Sequence, residues 1–140
     1  MVETITYSLH YNLRRHESVK EHNMKDSILL TKSKAFALRV VRLYKYLRDR
    51  KESVIAKQML RSGTSIGANI AESRYAQSKS DFASKLQIAL KEAAETEYWI
   101  ELLRDSELVE SSSAFDSPCI DCTELIKLLT ASVKTAKENT

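Results

Sequence analysis

The stretch R-S-G-T-S-I-G-A-N-I-A-E-S at residues 61–73 decides the fold. It holds both glycines of the chain, Gly63 and Gly67, four residues apart, and Ala71 follows after another four. On a helix that spacing stacks three small residues along one line. Each glycine costs about 1 kcal/mol of helix propensity, and close approach of a neighbouring helix backbone offsets the loss. Beside the ridge runs an apolar stripe of Ala56, Met59, Gly63, Ile66 and Ile70. A polar stripe of Gln58, Ser62, Ser65, Asn69 and Glu72 falls in one narrow sector next to it. Two glycines beside Thr and Ser also suit a turn. The apolar phase runs through both glycines without a slip, so we read a helix with a core face and a hydrogen-bonding seam. It is no phosphate loop, because no Gly-Lys-Ser/Thr follows. Nor is it a membrane dimer motif, since Arg61, Asn69 and Glu72 would sit in hydrocarbon.

The composition fits that reading. A chain of 140 residues makes one domain with a real core. Two Gly and one Pro are too few for sheets and tight turns but enough for long helices. No long apolar run and no signal-peptide pattern occurs, so we expect a cytoplasmic protein without a membrane partner. Cys119 and Cys122 alone make neither a disulfide framework nor a four-ligand zinc site. The net charge of +3 hides a polarity. Residues 32–75 carry eleven basic and three acidic side chains, whereas residues 76–140 carry seven and twelve. Such halves either neutralise each other inside one bundle or leave a basic surface for polyanions or a complementary subunit.

Residues 1–31 are polar and weakly patterned, and we expect a flexible arm there, with 32–140 as the folded domain. Met24 is followed by sequence resembling a natural beginning, so residues 1–23 read as a disordered arm or an over-long gene start. His10, His16 and His22 match no helix face or metal spacing and are read as solvent-exposed. The pattern predicts helix one over 34–51, with Ser33 as N-cap and Phe36, Val40, Leu43 and Leu47 inside. Its opposite side carries Arg39, Arg42, Tyr46 and Arg50, with Lys45 and Arg48 on the edges. Arginine interleaved with tyrosine can pair phosphates and stack on bases, although a solvated charged face gives the same pattern. Helix two is expected from a cap at Ser53 to about residue 75. Helix three follows from a cap at Ser78, with Phe82, Leu86, Ala89, Ala93, Thr96, Ile100 and Leu103 in a heptad-like seam. A second stripe holds Ile88, Glu92, Glu95, Trp99 and Leu102. After a serine-rich linker over 110–117, Ser117 as cap and Pro118 as first residue start helix four. Cys122, Leu125, Leu129 and Val133 form its apolar face. Four amphipathic helices with short connections argue an all-α, up-and-down antiparallel four-helix bundle.

Little in this chain suggests catalysis. Glu92 and Glu95 invite a di-metal carboxylate reading, but such sites need Glu-x-x-His motifs and residues 32–140 contain no histidine. Ion pairs with the basic half are the expected role. Cys119-Ile-Asp-Cys122 is a C-x-x-C at a helix N-terminus, where the helix end would lower a thiol's pKa. Thioredoxin-like chemistry expects a preceding strand, so two core or edge thiols are the simpler reading. We find no catalytic residue, no metal site and no cofactor site.

Residues 32–108 resemble the 23S rRNA-intervening-sequence proteins. The likeness lies in L-R-S-G-T-S-I-G-A-N-I-A-E at 60–72, S-K-S-D-F at 78–82, K-L at 85–86 and A-L-K-E-A-A-E-T-E-Y-W at 89–99. Many relatives carry Gly where this chain has Ser73, so the exit of helix two is expected to differ. The resemblance implies a four-helix bundle, assembly into a homopentameric ring and no enzymatic activity. A related branch looks like the accessory subunit of diversity-generating retroelements, which binds RNA and a reverse transcriptase. Joined to the charge split, this gives a non-enzymatic oligomeric scaffold that binds RNA through Arg39, Arg42, Lys45, Arg48, Lys57 and Arg61. Ser62, Gly63, Ser65, Gly67, Asn69, Glu72, Glu92, Glu95 and Trp99 belong to the structural motif, the polar ones forming a seam between helices or subunits. The alternative is a protein–protein adapter, working through its acidic surface. A redox or metal enzyme, carried only by the C-x-x-C, is the third class.

Overall fold

The computed structural model describes the backbone of residues 2–110 and 112–140, and the side chains of residues 10, 12–17, 28–110 and 112–140. Four long helices make the protein: α1 (Val2–Asp49), α2 (Val54–Ser73), α3 (Lys79–Asp105) and α4 (Asp116–Glu138). A single 3₁₀ turn (Ser112–Phe115) leads into α4, and no strand occurs among the described residues. Helix α2 packs on α1 and α3, α3 packs on α4, and α1 also touches α4.

The stripes read from the spacing are the buried ones. Phe36, Val40, Leu43 and Leu47 of α1 meet Ala56, Met59, Ile66 and Ile70 of α2 in one core. Leu86, Ala89, Ala93, Ile100 and Leu103 of α3, with Cys122, Leu125, Leu129 and Val133 of α4, complete it. Each fully buried large aliphatic or aromatic side chain there contributes about 1.5–3 kcal/mol. Phe82, expected at the head of the α3 seam, is only half-buried.

Two helix starts differ from expectation. Helix α1 does not begin at residue 34, because no Gly or Pro precedes residue 63 to break it. Ser33 is therefore no N-cap: it lies mid-helix, fully buried, its Oγ donating to the Leu30 carbonyl at 2.9 Å. Helix α4 starts at Asp116, which places Pro118 inside the first turn, where its missing N–H costs nothing. Ser117, expected as its cap, instead bonds Arg39 through its Oγ. Phe115, in the segment read as a linker, is fully buried.

The other ends follow local chemistry. Lys51 takes positive φ after α1, with Lys51 N–H donating to Arg48 and Glu52 N–H to Leu47, the double bond of a Schellman turn. Ser53 precedes α2 but caps nothing with its side chain; the Glu52 carboxylate accepts from Ile55 N–H instead. Ser78 does cap α3, its Oγ accepting from Asp81 N–H at 3.0 Å. Ser73 ends α2 buried, its Oγ turned back to the Ile70 carbonyl.

Candidate nucleic-acid interface

The glycine ridge faces α1. A Cβ at Gly63 would lie 2.8 Å from Val40 Cγ1, and one at Gly67 would lie 3.4 Å from Ser33 Oγ. The ridge thus lets α1 come closer than any side chain at Gly63 would allow.

One face round, two members of the polar stripe, Ser62 and Glu72, reach α3. Ser62 is fully buried, and its Oγ lies 2.7 Å from Thr96 Oγ1. Ser62 is 3.3 Å from the Met59 carbonyl, and Thr96 2.7 Å from that of Glu92. The two hydroxyl protons can serve only two of these three contacts at once, so the pair forms a short relay anchored at one end. Further out, Arg61 pairs with Glu92 at 3.3 Å and also with Glu95. Lys85 pairs with Glu72 at 2.9 Å, and that hydrogen bond raises the lysine pKa above its ordinary value. Asn69 stays within α2, donating to the Ser65 carbonyl and hydroxyl. Trp99 is half-buried beside Tyr98, its Nε1 buried without a hydrogen-bond partner among the described residues.

The six candidate phosphate contacts divide. Arg61 is engaged as described. Arg39 pairs with Asp121 of α4 at 2.7 Å and with Ser117, while Lys32 reaches Glu124. These bridges consume acidic groups of α3 and α4 with basic groups of α1 and α2. By contrast, Arg42, Lys45 and Lys57 are exposed and have no acidic partner among the described residues. Arg48 meets only its chain neighbour Asp49, at 3.4 Å and in solvent. Arg42 and Lys45 share the outward side of α1 with Leu38 and Val41, opposite the buried stripe. The tyrosine expected to stack on bases is not free to do so: Arg50 lies over the Tyr46 ring, 3.5 Å from its centroid. Spacing marked the charged face but carried no signal for Lys32 or Ser117 as partners.

The thiols are not activated. Burial pushes Cys122 up to about 12, and its Sγ donates to the Ala93 carbonyl. Burial also raises Cys119, against the lowering by Arg104. The expected lowering fails because α4 begins at Asp116, two residues before the expected first residue Pro118, which puts Cys119 beyond the exposed N–H groups at the helix end. Among the described residues no group of three or more His, Cys, Asp or Glu is arranged to hold a metal. No helix among them is long and apolar enough to cross a membrane. His10 and His16 are exposed, as expected, and the His22 side chain lies outside the described residues.

The comparisons with known proteins agree with this architecture. A crystal structure of a protein of unknown function from the S23 ribosomal protein family of Bacteroides thetaiotaomicron is 53% identical, with a TM-score of 0.74. The likeness covers 79% of this chain and 98% of that one. Among curated proteins none matches. The family model for the 23S rRNA-intervening sequence protein matches residues 25–131, reaching well into α4 and beyond the part that carries the resemblance in the sequence. The chain belongs to the 23S rRNA-intervening sequence protein family.

Proposed function

We propose that this protein is a non-enzymatic, cytoplasmic scaffold that binds RNA through the exposed cations of α1 and α2. The observation that carries the reading is the division among the basic residues. Arg39 and Arg61 are matched to carboxylates of α3 and α4, whereas Arg42, Lys45 and Lys57 are exposed and unmatched among the described residues. Uncompensated cations on one side of a molecule attract polyanions. The helices are read as an up-and-down antiparallel bundle. Supporting this, α1 and α2 meet in reverse order at Val40 with Gly63 and Ser33 with Gly67. Helices α2 and α3 do the same at Ser62 with Thr96 and Glu72 with Lys85. A homopentameric ring is the assembly we propose, on the family resemblance.

The test is RNA affinity across a salt series, on protein freed of nucleic acid. Affinity should fall with log salt at a slope of about −0.7 to −0.9 for each phosphate contact. Arg42→Glu with Lys45→Glu should cost tenfold or more, on the order of one to two phosphate contacts, with the native mass unchanged. Weak, flat binding would discard the reading. A second reading, an adapter such as a reverse-transcriptase accessory subunit, is favoured by exposed apolar groups on α3 and α4, namely Tyr98, Leu102 and Ile120. Its sign would be partner capture that survives loss of Arg42 and Lys45.

A further inference from the structure

Resting on that nucleic-acid reading, we infer that the ligand is a duplex gripped by its phosphate backbones, not a single strand held by its bases. Sequence-tolerant binding of single strands relies on open aromatic faces on which bases stack. Among the described residues, the basic end of this molecule offers none. Tyr44 and Tyr46 are half-buried against the core, and the Arg50 guanidinium covers the Tyr46 ring. Arg50 is itself held, donating to the Tyr46 carbonyl at 3.2 Å. Tyr75, the most exposed aromatic among the described residues, is 87% exposed but sits past the far end of α2. At 1.5 Å of rise per residue it lies about 27 Å along the chain direction from Lys57.

What remains is a set of exposed charges. Arg42, Lys45 and Arg48 follow one another at three-residue steps on α1. Each step climbs about 4.5 Å and turns about 60° round the helix. The series winds across the outward side of α1, and Lys57 continues it on α2 beyond the turn that joins the two helices. These cations sit on convex helix surface. A flexible strand would have to be ordered there without any stacking in return. A duplex arrives already ordered and carries about one charge per 1.7 Å of axis, so the same four cations reach more phosphates. The chemistry is shared by RNA and DNA duplexes.

The experiment uses the full chain and measures binding to a duplex RNA of about 20 base pairs, the same-sequence duplex DNA, and each separated strand. We expect duplex of at least one kind to bind about tenfold or more tighter than its strands. Four phosphate contacts predict roughly a hundredfold loss between about 50 and 200 mM salt. Arg42→Glu with Lys45→Glu should abolish the preference, and Tyr75→Ala should leave it intact. The RNA and DNA arms identify which duplex is preferred. Strands bound as tightly as duplexes, or binding lost in Tyr75→Ala, would overturn the duplex inference while leaving the nucleic-acid reading standing. No binding to any probe would overturn the nucleic-acid reading itself.

Discussion

Towards α1, helix α2 presents Gly63 and Gly67; towards α3, one face round, it presents Ser62, Arg61 and Glu72. The first contact is set by shape, since nothing larger than hydrogen fits between Gly63 and Val40. The second is graded from a buried hydroxyl pair to ion pairs in solvent. A shape contact tolerates almost no added volume, because packed helices respond only by moving apart. A polar contact tolerates volume but not loss of one partner, because the orphaned group then pays its desolvation alone. The difference teaches that one helix can position two neighbours by different physics.

The largest expected effect comes from breaking the shape contact. Gly63→Ala brings a methyl to 2.8 Å from Val40, and should destabilise by about 1–3 kcal/mol despite the better helix propensity. Chemical denaturation measures it, and adding Val40→Ala should restore part of the loss. Next is the buried seam. Thr96→Val leaves Ser62 without its cross-helix partner and should cost about 1–2 kcal/mol, whereas removing both hydroxyls should cost less than the two single changes added together. A double-mutant cycle decides, and additivity would mean that the two hydroxyls do not interact. Gly67→Ala sharpens the contrast within the ridge. There the new methyl makes ordinary contact with Ser33, so a gain of up to about 1 kcal/mol in helix propensity should raise the melting temperature. The smallest change should be Arg61→Gln. Its pairs are half in solvent, and the loss should be about 0–1 kcal/mol, shrinking further as salt is added.

Much of this was legible in the residues because helix periodicity reports burial directly. The alternation through Ala56, Met59, Gly63, Ile66 and Ile70 states which side of α2 is inside, and every one of those residues is buried. Ser78 announced the start of α3 for a purely local reason, a hydroxyl within reach of an N–H three residues on. Ser33 and Ser117 misled for the same reason. A serine reads as a cap when its local surroundings allow one, yet Ser33 is held mid-helix by contact with α2 and Ser117 turns to an arginine on α1. Phe115 had no periodic apolar neighbours to declare it, lying in S-S-S-A-F-D-S at residues 111–117.

The candidate interface shows the same limit. The sequence listed six basic residues on one half of the chain and could not rank them. Arg39 and Arg42 look equivalent three positions apart, but about 60° of helix rotation carries one beside Asp121 and the other into solvent. By itself, then, the sequence determined the four helices, their buried faces and the imbalance of charge, since each is a property of neighbours along the chain. Only the tertiary structure decided that the glycine ridge meets α1, that Ser62 meets Thr96, and that Arg39 and Arg61 pair with carboxylates while Arg42, Lys45 and Lys57 pair with none among the described residues. Those outcomes depend on what stands across a helix face, and the groups that stand there are dozens of residues away in the chain.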